Sequence, residues 1–159
     1  ILTLIFSVPS ANFFLPLRVK HLRGVAYSLE TIPWYFHNAL TYLVRYTILD
    51  FITPTPLNIL FFRMMGMKIG KGVILNTSNI SDPCRIEIED FVTVGGSATL
   101  MAHYGVGGLL CISKTIIKKG ATIGLNAAIM GDTVVGEYAT IKPHSVVLPK
   151  SRIQPHATV

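Results

Sequence analysis

The stretch TIIKKGATIGLNAAIMGDTVVGEYATIKPHSVVLPKSRIQPHATV, Thr115 to Val159, repeats itself every six residues. Ile117, Ile123, Ile129, Val135, Ile141, Val147, Ile153 and Val159 are aliphatic and stand six apart. Two places before each comes a small residue: Thr115, Ala121, Ala127, Thr133, Ala139, Ser145, Ser151 and Ala157. Gly124 and Gly136 directly follow their aliphatics. An amphipathic helix has a period near 3.6 and a half-buried strand a period of about 2. Six is the length of one short strand plus a turn, the signature of a parallel β-helix built from hexapeptides. In such a fold the aliphatic points into a narrow prism and the small residue fits at its crowded corner. Glycine after the aliphatic is expected where the backbone bends or takes positive φ. A single rung cannot bury its own apolar face, so rungs stack and share one core. Strands of a barrel or sandwich would alternate instead, with turn signals every roughly 8–12 residues.

The pattern reaches back to Met67. Ile69-Gly70 and Leu75-Asn76 are in phase, with Val73 in the small slot. Phase slips by one residue between Asn79 and Arg85, where Pro83 sits, and resumes at Ile88, Val94 and Leu100, preceded by Ile86, Val92 and Ala98. From Leu100 to Ile117 the interval is 17, one short of three hexads. The intervening AHYGVGGLLCISK, Ala102 to Lys114, has three glycines and no clean hexad. A regular solenoid broken once, by a glycine-rich stretch carrying His103, is where function is expected to intrude.

Upstream of the repeat the chain reads differently, and residues 1–66 are taken as a helical segment separate from a repeat domain at 67–159. Ile1 to Leu17 carries no charge but is shorter than the roughly 20 residues that span a bilayer, and Pro9 and Pro16 interrupt it. Arg18, Lys20, His21 and Arg23 follow, a basic cluster of the kind found on the cytoplasmic side of an apolar segment. Thr31 to Asp50 reads as a helix capped by Thr31 with Pro33 in its first turn. Its Trp34, Tyr35, Phe36, Tyr42 and Tyr46 suit the boundary between water and lipid, so it is expected to lie in that boundary. Thr53 to Pro56 is a helix breaker, and Leu57 to Met65 a short helix ended by Gly66. These features predict membrane contact through residues 1–66 on the cytoplasmic face.

Composition agrees. The 159 residues are 50% hydrophobic and only 14% charged, against about 25% charged in soluble domains. The net charge of +6 is spread along the chain without a basic tract, which argues against nucleic-acid binding. Two cysteines, Cys84 and Cys111, make neither a disulfide framework nor a metal cluster and are expected to pack as thiols. The chain opens on Ile1 and stops at Val159 in mid-pattern, which predicts further domains of a longer polypeptide.

The repeated Ile-Gly followed by four residues, with a small residue two before each aliphatic, resembles the hexapeptide-repeat acyltransferases, whose fold is a left-handed parallel β-helix. The lead-in Pro56 to Gly70 resembles a helix that precedes such domains. Ile80 to Pro83, Ile86 to Leu100 and Ala102 to Tyr104 resemble the hexapeptide domains appended to membrane-embedded, nonribosomal-peptide-synthetase-like proteins such as polylysine synthetases. The overall expectation is a mainly β protein, a left-handed parallel β-helix preceded by apolar or amphipathic helices. The resemblance implies a homotrimer with acyl-CoA in the groove between prisms, and a histidine that takes a proton from the acceptor. His103 matches that histidine's position, although Tyr104 and Gly105 replace its usual companions. An imidazole suits the work because its ordinary pKa lies near neutrality. Lys118, Lys119, Lys142 and Lys150 are candidate phosphate partners. Lys142, Ser145 and Lys150 are preferred because late coils hold the coenzyme in that family. The acidic set Asp82, Glu87, Glu89 and Asp90 reads equally as solvated turns or as a source of a partner for His103.

Zinc, as in the related γ-class carbonic anhydrases, is not expected, because the spacing of His103, His144 and His156 does not match their three converging imidazoles. The leading expectation is therefore an acyl-CoA-dependent O- or N-acyltransferase with His103 as general base. The alternative is a non-catalytic trimerisation module that organises a larger membrane-bound synthetase.

Overall fold

A computed structural model describes residues 3–15 and 19–159; Ile1, Leu2, Pro16, Leu17 and Arg18, part of the apolar and basic N-terminal expectation, lie outside the described residues. Helix α1 (Leu4–Phe14) contains Pro9 and packs on α2 (Ile32–Val44) and α4 (Pro56–Met64). Strand β1 (Leu22–Val25) lies between α1 and α2, and a 3-10 turn at Leu29–Thr31 leads into α2. A π turn (Arg45–Leu49) and a short α3 (Asp50–Ile52) continue α2. Thr31 does not cap α2 through its side chain; its Oγ1 donates back to the carbonyls of Ala26 and Ser28, because the 3-10 turn already occupies the helix entrance. Thr55 caps α4 by accepting from Leu57 N, and Gly66, at φ 98°, ends it. Among the described residues no helix is long and apolar enough to cross a membrane.

From Lys68 the chain winds into three stacks of parallel rungs. The first face holds β2 (Lys68–Ile69), β4 (Ile86–Ile88), β9 (Thr115–Ile117), β12 (Val134–Val135) and β15 (Arg152–Ile153). The second holds β3 (Ile74–Leu75), β5 (Thr93–Val94), β10 (Thr122–Ile123) and β13 (Thr140–Ile141). The third holds β6 (Thr99–Leu100), β11 (Ala128–Ile129) and β14 (Val146–Val147), with Ile80 bridged to Leu100 as its first rung. The register sets aliphatic on aliphatic: Ile69, Ile88, Ile117, Val135 and Ile153 on one face, Leu100, Ile129 and Val147 on another. Ile117, Ile123, Ile129, Val135 and Ile141 are fully or almost fully buried, as are the small residues Ala98, Ala121, Ala127 and Ala139 at the corners.

The turn chemistry corrects the glycine expectation. Left-handed φ falls three residues after the aliphatic, at Phe91, Ser97, Asn126, Tyr138, His144 and His156 among others. These non-glycine residues hold the costly conformation, worth roughly 1–2 kcal/mol each, and at Phe91, Asn126, Tyr138, His144 and His156 the N–H bonds the turn stacked above, as His144 N does to Leu125 O at 2.8 Å. Gly124 and Gly136, directly after their aliphatics, answer close approach instead. A Cβ there would lie 2.4 Å from Pro143 N and 2.5 Å from Pro155 N.

The two irregularities also have definite shapes. Ile80 takes its rung one residue early, and the chain then spends extra residues on Asp82 in the left-handed region and a 3-10 turn (Pro83–Arg85) before reaching β4. The glycine-rich interruption is an antiparallel hairpin of β7 (His103–Val106) and β8 (Leu109–Ile112), turned by Gly107 and Gly108, both at positive φ. Strand β1 pairs with the free edge of β8, so β8 is the central strand of a three-stranded sheet that joins the hairpin to the N-terminal segment. Leu100 and Ile117 are therefore one hexad apart with a hairpin inserted between two faces.

Ile129, fully buried mid-stack, is expected to cost about 3 kcal/mol on substitution by alanine. Ile153, only partly buried on the first face, is expected to cost less than half of that. Urea unfolding of both variants gives the comparison.

Candidate active site

Both irregularities converge on one side chain. Asp82 is fully buried. Its Oδ1 accepts from Trp34 Nε1 at 2.6 Å and from Asn38 Nδ2 at 2.7 Å, and its Oδ2 accepts from Ala102 N at 3.1 Å and pairs with His103 Nδ1 at 2.5 Å. Asn38 completes a two-way clasp, because its Oδ1 accepts from Asp82 N at 3.2 Å. Burial alone would raise the Asp82 carboxyl, but the bond and charge of His103, with the Asn38 and Ala102 donors, outweigh it and hold the group below its ordinary value. Asp82 is thus a carboxylate whose acceptor positions are filled by directed donors.

An ionised Oδ2 beside Nδ1 fixes the imidazole tautomer. Nδ1 carries the proton and Nε2 is left with its lone pair, the arrangement a general base needs. The Trp34 ring stands edge-on to the imidazole, with centroids 5.0 Å apart, and blocks its rotation on that side. The His103 side chain keeps 23% of its exposure, so the ring is held without being sealed in.

Each part has a local cause. His103 sits three residues after Leu100, where other rungs turn in the left-handed region; here the chain leaves as β7 instead. The next rung down makes room with Gly131, since a Cβ there would lie 2.7 Å from His103 N and 2.8 Å from Ala102 C. Trp34 and Asn38 are one helical turn apart on α2, so they reach the same carboxylate from one face.

The other expected residues distribute as follows. Lys150 lies on the corner between the third and first faces, the corner from which His103 departs. Its N–H approaches Gly131 O at 3.4 Å, and its Nζ lies 6.0 Å from the Tyr104 ring centroid. Lys142 and Ser145 occupy the neighbouring corner, between the second and third faces, and do not meet His103; Ser145 Oγ donates to Val159 O at 3.4 Å. Lys118 is tied to Glu89 at 2.9 Å, while Glu87 pairs with Lys68 and Lys114, and Asp90 accepts from Lys71 N. Of the acidic set, only Asp82 serves the histidine. His144 and His156 sit on separate exposed turns, and no group of three or more His, Cys, Asp or Glu gathers as a metal site among the described residues. Cys84 and Cys111 are free, and burial together with the Asp82 charge pushes the Cys84 thiol up to about 12, which leaves it protonated and inert.

Asn38 and Gly131 carry no assigned role in the sequence, and Trp34, expected at the boundary between water and lipid, instead donates inward to Asp82. Asn38 carried a faint signal, a carboxamide inside an otherwise apolar and aromatic helix. Trp34 also lines a cavity of about 580 Å³ with Lys20, His21, Glu30 and Ile112, and Ile112 is the cross-strand partner of His103.

No family model matches the chain. Solved structures share its fold. A maltose O-acetyltransferase from Clostridium difficile 630 superposes with a TM-score of 0.59 at 19% identity, over 87% of this chain and 87% of that one. A hexapeptide-repeat-containing acetyltransferase from Vibrio cholerae O1 biovar eltor, solved with acetyl coenzyme A, superposes with a TM-score of 0.56 at 14% identity, over 84% and 85%. The fold of this chain is thus the hexapeptide-repeat β-helix with a helical N-terminal region.

Gly131→Ala is expected to displace the start of β7, lower stability by about 1–3 kcal/mol and shift the ring resonances of His103. Thermal unfolding and histidine NMR together measure both effects.

Proposed function

We propose that this protein is an acyl-CoA-dependent O- or N-acyltransferase in which His103 is the general base. The observation that carries the proposal is the His103–Asp82 pair: a half-buried imidazole oriented by a fully buried carboxylate, at the one corner where a hairpin leaves the β-helix. The acetyltransferase fold neighbours supply the reaction class. His103 Nε2 accepts the proton as an acceptor oxygen or nitrogen attacks the thioester carbonyl. Asp82 stabilises the imidazolium that results. Collapse of the tetrahedral adduct breaks the C–S bond, and His103 returns the proton to the coenzyme A sulfur.

In this reading the β-helix is left-handed and the active form a homotrimer. The exposed side of the third face supports the trimer. Its Thr99, Met101, Ala128, Met130, Val146 and Leu148 carry no charge, and Val146 and Leu148 stand more than half exposed, at 59% and 63%. In a trimer each groove is flanked by a corner from each of two chains. Lys150 of one chain and Lys142 and Ser145 of the next can then hold one acyl-CoA, with lysines toward its phosphates. The repeat domain at 67–159 would carry the chemistry, and residues 1–66 would contact the membrane at its cytoplasmic face, as in a larger membrane-bound, synthetase-like polypeptide. A purely structural trimerisation module is less well supported, since a scaffold has no use for a buried carboxylate directed at an imidazole.

Release of coenzyme A from acetyl-CoA, measured across hydroxyl and amine acceptors, tests the chemistry. His103→Ala is expected to lower the rate about a hundred- to ten-thousand-fold with acetyl-CoA affinity unchanged. Asp82→Asn should also slow transfer, because an amide no longer imposes the productive tautomer. An undiminished rate in His103→Ala would remove the general-base role. Leu148→Glu is expected to yield a folded monomer by sedimentation, with acetyl-CoA binding lost.

A further inference from the structure

Helix α2 is inside out. Its inward face is mostly polar, with Val44 its one fully buried apolar side chain: His37, Asn38 and Thr41 are buried, Trp34 and Asn38 donate to Asp82, and the Tyr42 hydroxyl lies 2.7 Å from Ser81 Oγ. The two charges of its continuation also turn toward the β-helix, Arg45 donating to Asn79 Oδ1 and Asp50 accepting from Ser78 Oγ. The outward face is the opposite. Ile32, Tyr35, Phe36, Ala39, Leu43 and Tyr46 fall on one side of a 3.6-residue helix, and the π turn brings Phe51 round to follow them. Phe36 is 54% exposed, Tyr46 70% and Phe51 85%. A helix bathed in water shows the reverse arrangement.

We infer that this outward face of α2 seats on an anionic lipid surface, with the helix lying along it. The inference rests on the membrane contact proposed above and names its surface, its orientation and the lipid charge. The stripe is flanked by aromatics suited to the headgroup level: Tyr27, almost fully exposed, stacks on Tyr35 at 6.4 Å. Lys20 and His21 line a cavity with Pro33 and Trp34 at the start of α2, and Arg23 is carried by β1, which packs on the 3-10 turn that leads into that helix. Glu30 is the acidic residue among them. That basic rim complements anionic headgroups. Against a second copy of this chain it would meet itself and repel, whereas the uncharged third face of the prism offers self-association without that penalty.

The test is flotation of the purified protein with phosphatidylcholine vesicles, with and without phosphatidylglycerol. The wild type should float with both and more strongly with the anionic vesicles. The double variant Phe36→Ser/Leu43→Ser should lose about tenfold or more of its partitioning while keeping acetyl-CoA binding and oligomeric state. Lys20→Glu/Arg23→Glu should abolish the preference for phosphatidylglycerol. If the double variant misfolds, Tyr46→Lys, at a more exposed position, provides the same readout. A wild type that floats while folded face variants float equally overturns this surface and leaves membrane contact standing. A wild type that floats with neither vesicle overturns both. Face variants that change the sedimentation coefficient instead identify the stripe as a surface between copies, which also overturns the proposal.

Discussion

A buried carboxylate organises this molecule. Taking Asp82 out of water without partners would cost several kcal/mol, and the chain supplies those partners from three directions. The Ala102 N–H comes from the bend just before the hairpin, the imidazole from the next residue, and the indole and carboxamide from a helix more than forty positions earlier in the sequence. Several oddities follow from this one requirement. Asp82 must reach inward, so the rung at Ile80 closes early and a 3-10 turn absorbs the surplus residues. Donors must descend on it, so α2 presents polar side chains toward the protein.

The β-helix contributes rigidity of a particular kind. Most turns repeat the same left-handed residue and a bond to the turn above, so the corner from which His103 departs is defined by the rungs beneath it. Gly131 shows how tight that definition is, since the hairpin begins where a methyl group on the next rung would meet backbone. The hairpin is stiffened in turn by β1, which pairs along β8 residue for residue from Leu22 with Ile112 to Val25 with Leu109. The imidazole therefore stands on a packed support with a second sheet edge behind it, which suits a base that must keep its geometry through proton transfer.

Much of this was legible in the hexad period, because stacking imposes it on every rung and the aliphatic slots cannot drift without exposing the core. The same regularity made the interruption visible and picked out His103. What the period could not show was anything held by contacts distant in sequence. Counting hexads between Leu100 and Ile117 shows a glycine-rich interruption without its shape, which antiparallel pairing of β7 with β8, and of β8 with β1, makes a hairpin in a three-stranded sheet. Trp34 read as one more boundary aromatic, since nothing local distinguishes an indole facing lipid from one whose N–H meets a carboxylate 48 positions away. Glycine was assigned to turn strain by the usual rule, but at Gly124 and Gly136 the constraint is the neighbouring rung, a feature of stacking and not of φ.

The polarity of α2 joins these points. A helix of this length, polar on both sides, has little to hold it in place. Its polar side is committed to Asp82, Ser81 and Asn79, Val44 and then Ile48 and Leu49 of its continuation pack inward, and most of its other large apolar and aromatic side chains lie on the side away from the protein. Ordinary folding reverses that order, filling the inside with apolar groups first. Here most of the inside of the helix is occupied by the needs of a charge, and apolar and aromatic side chains are left on the outside. The seat of the buried carboxylate and the exposed apolar stripe are two faces of the same helix, so a change that tilts α2 on one side is felt at Asp82 on the other.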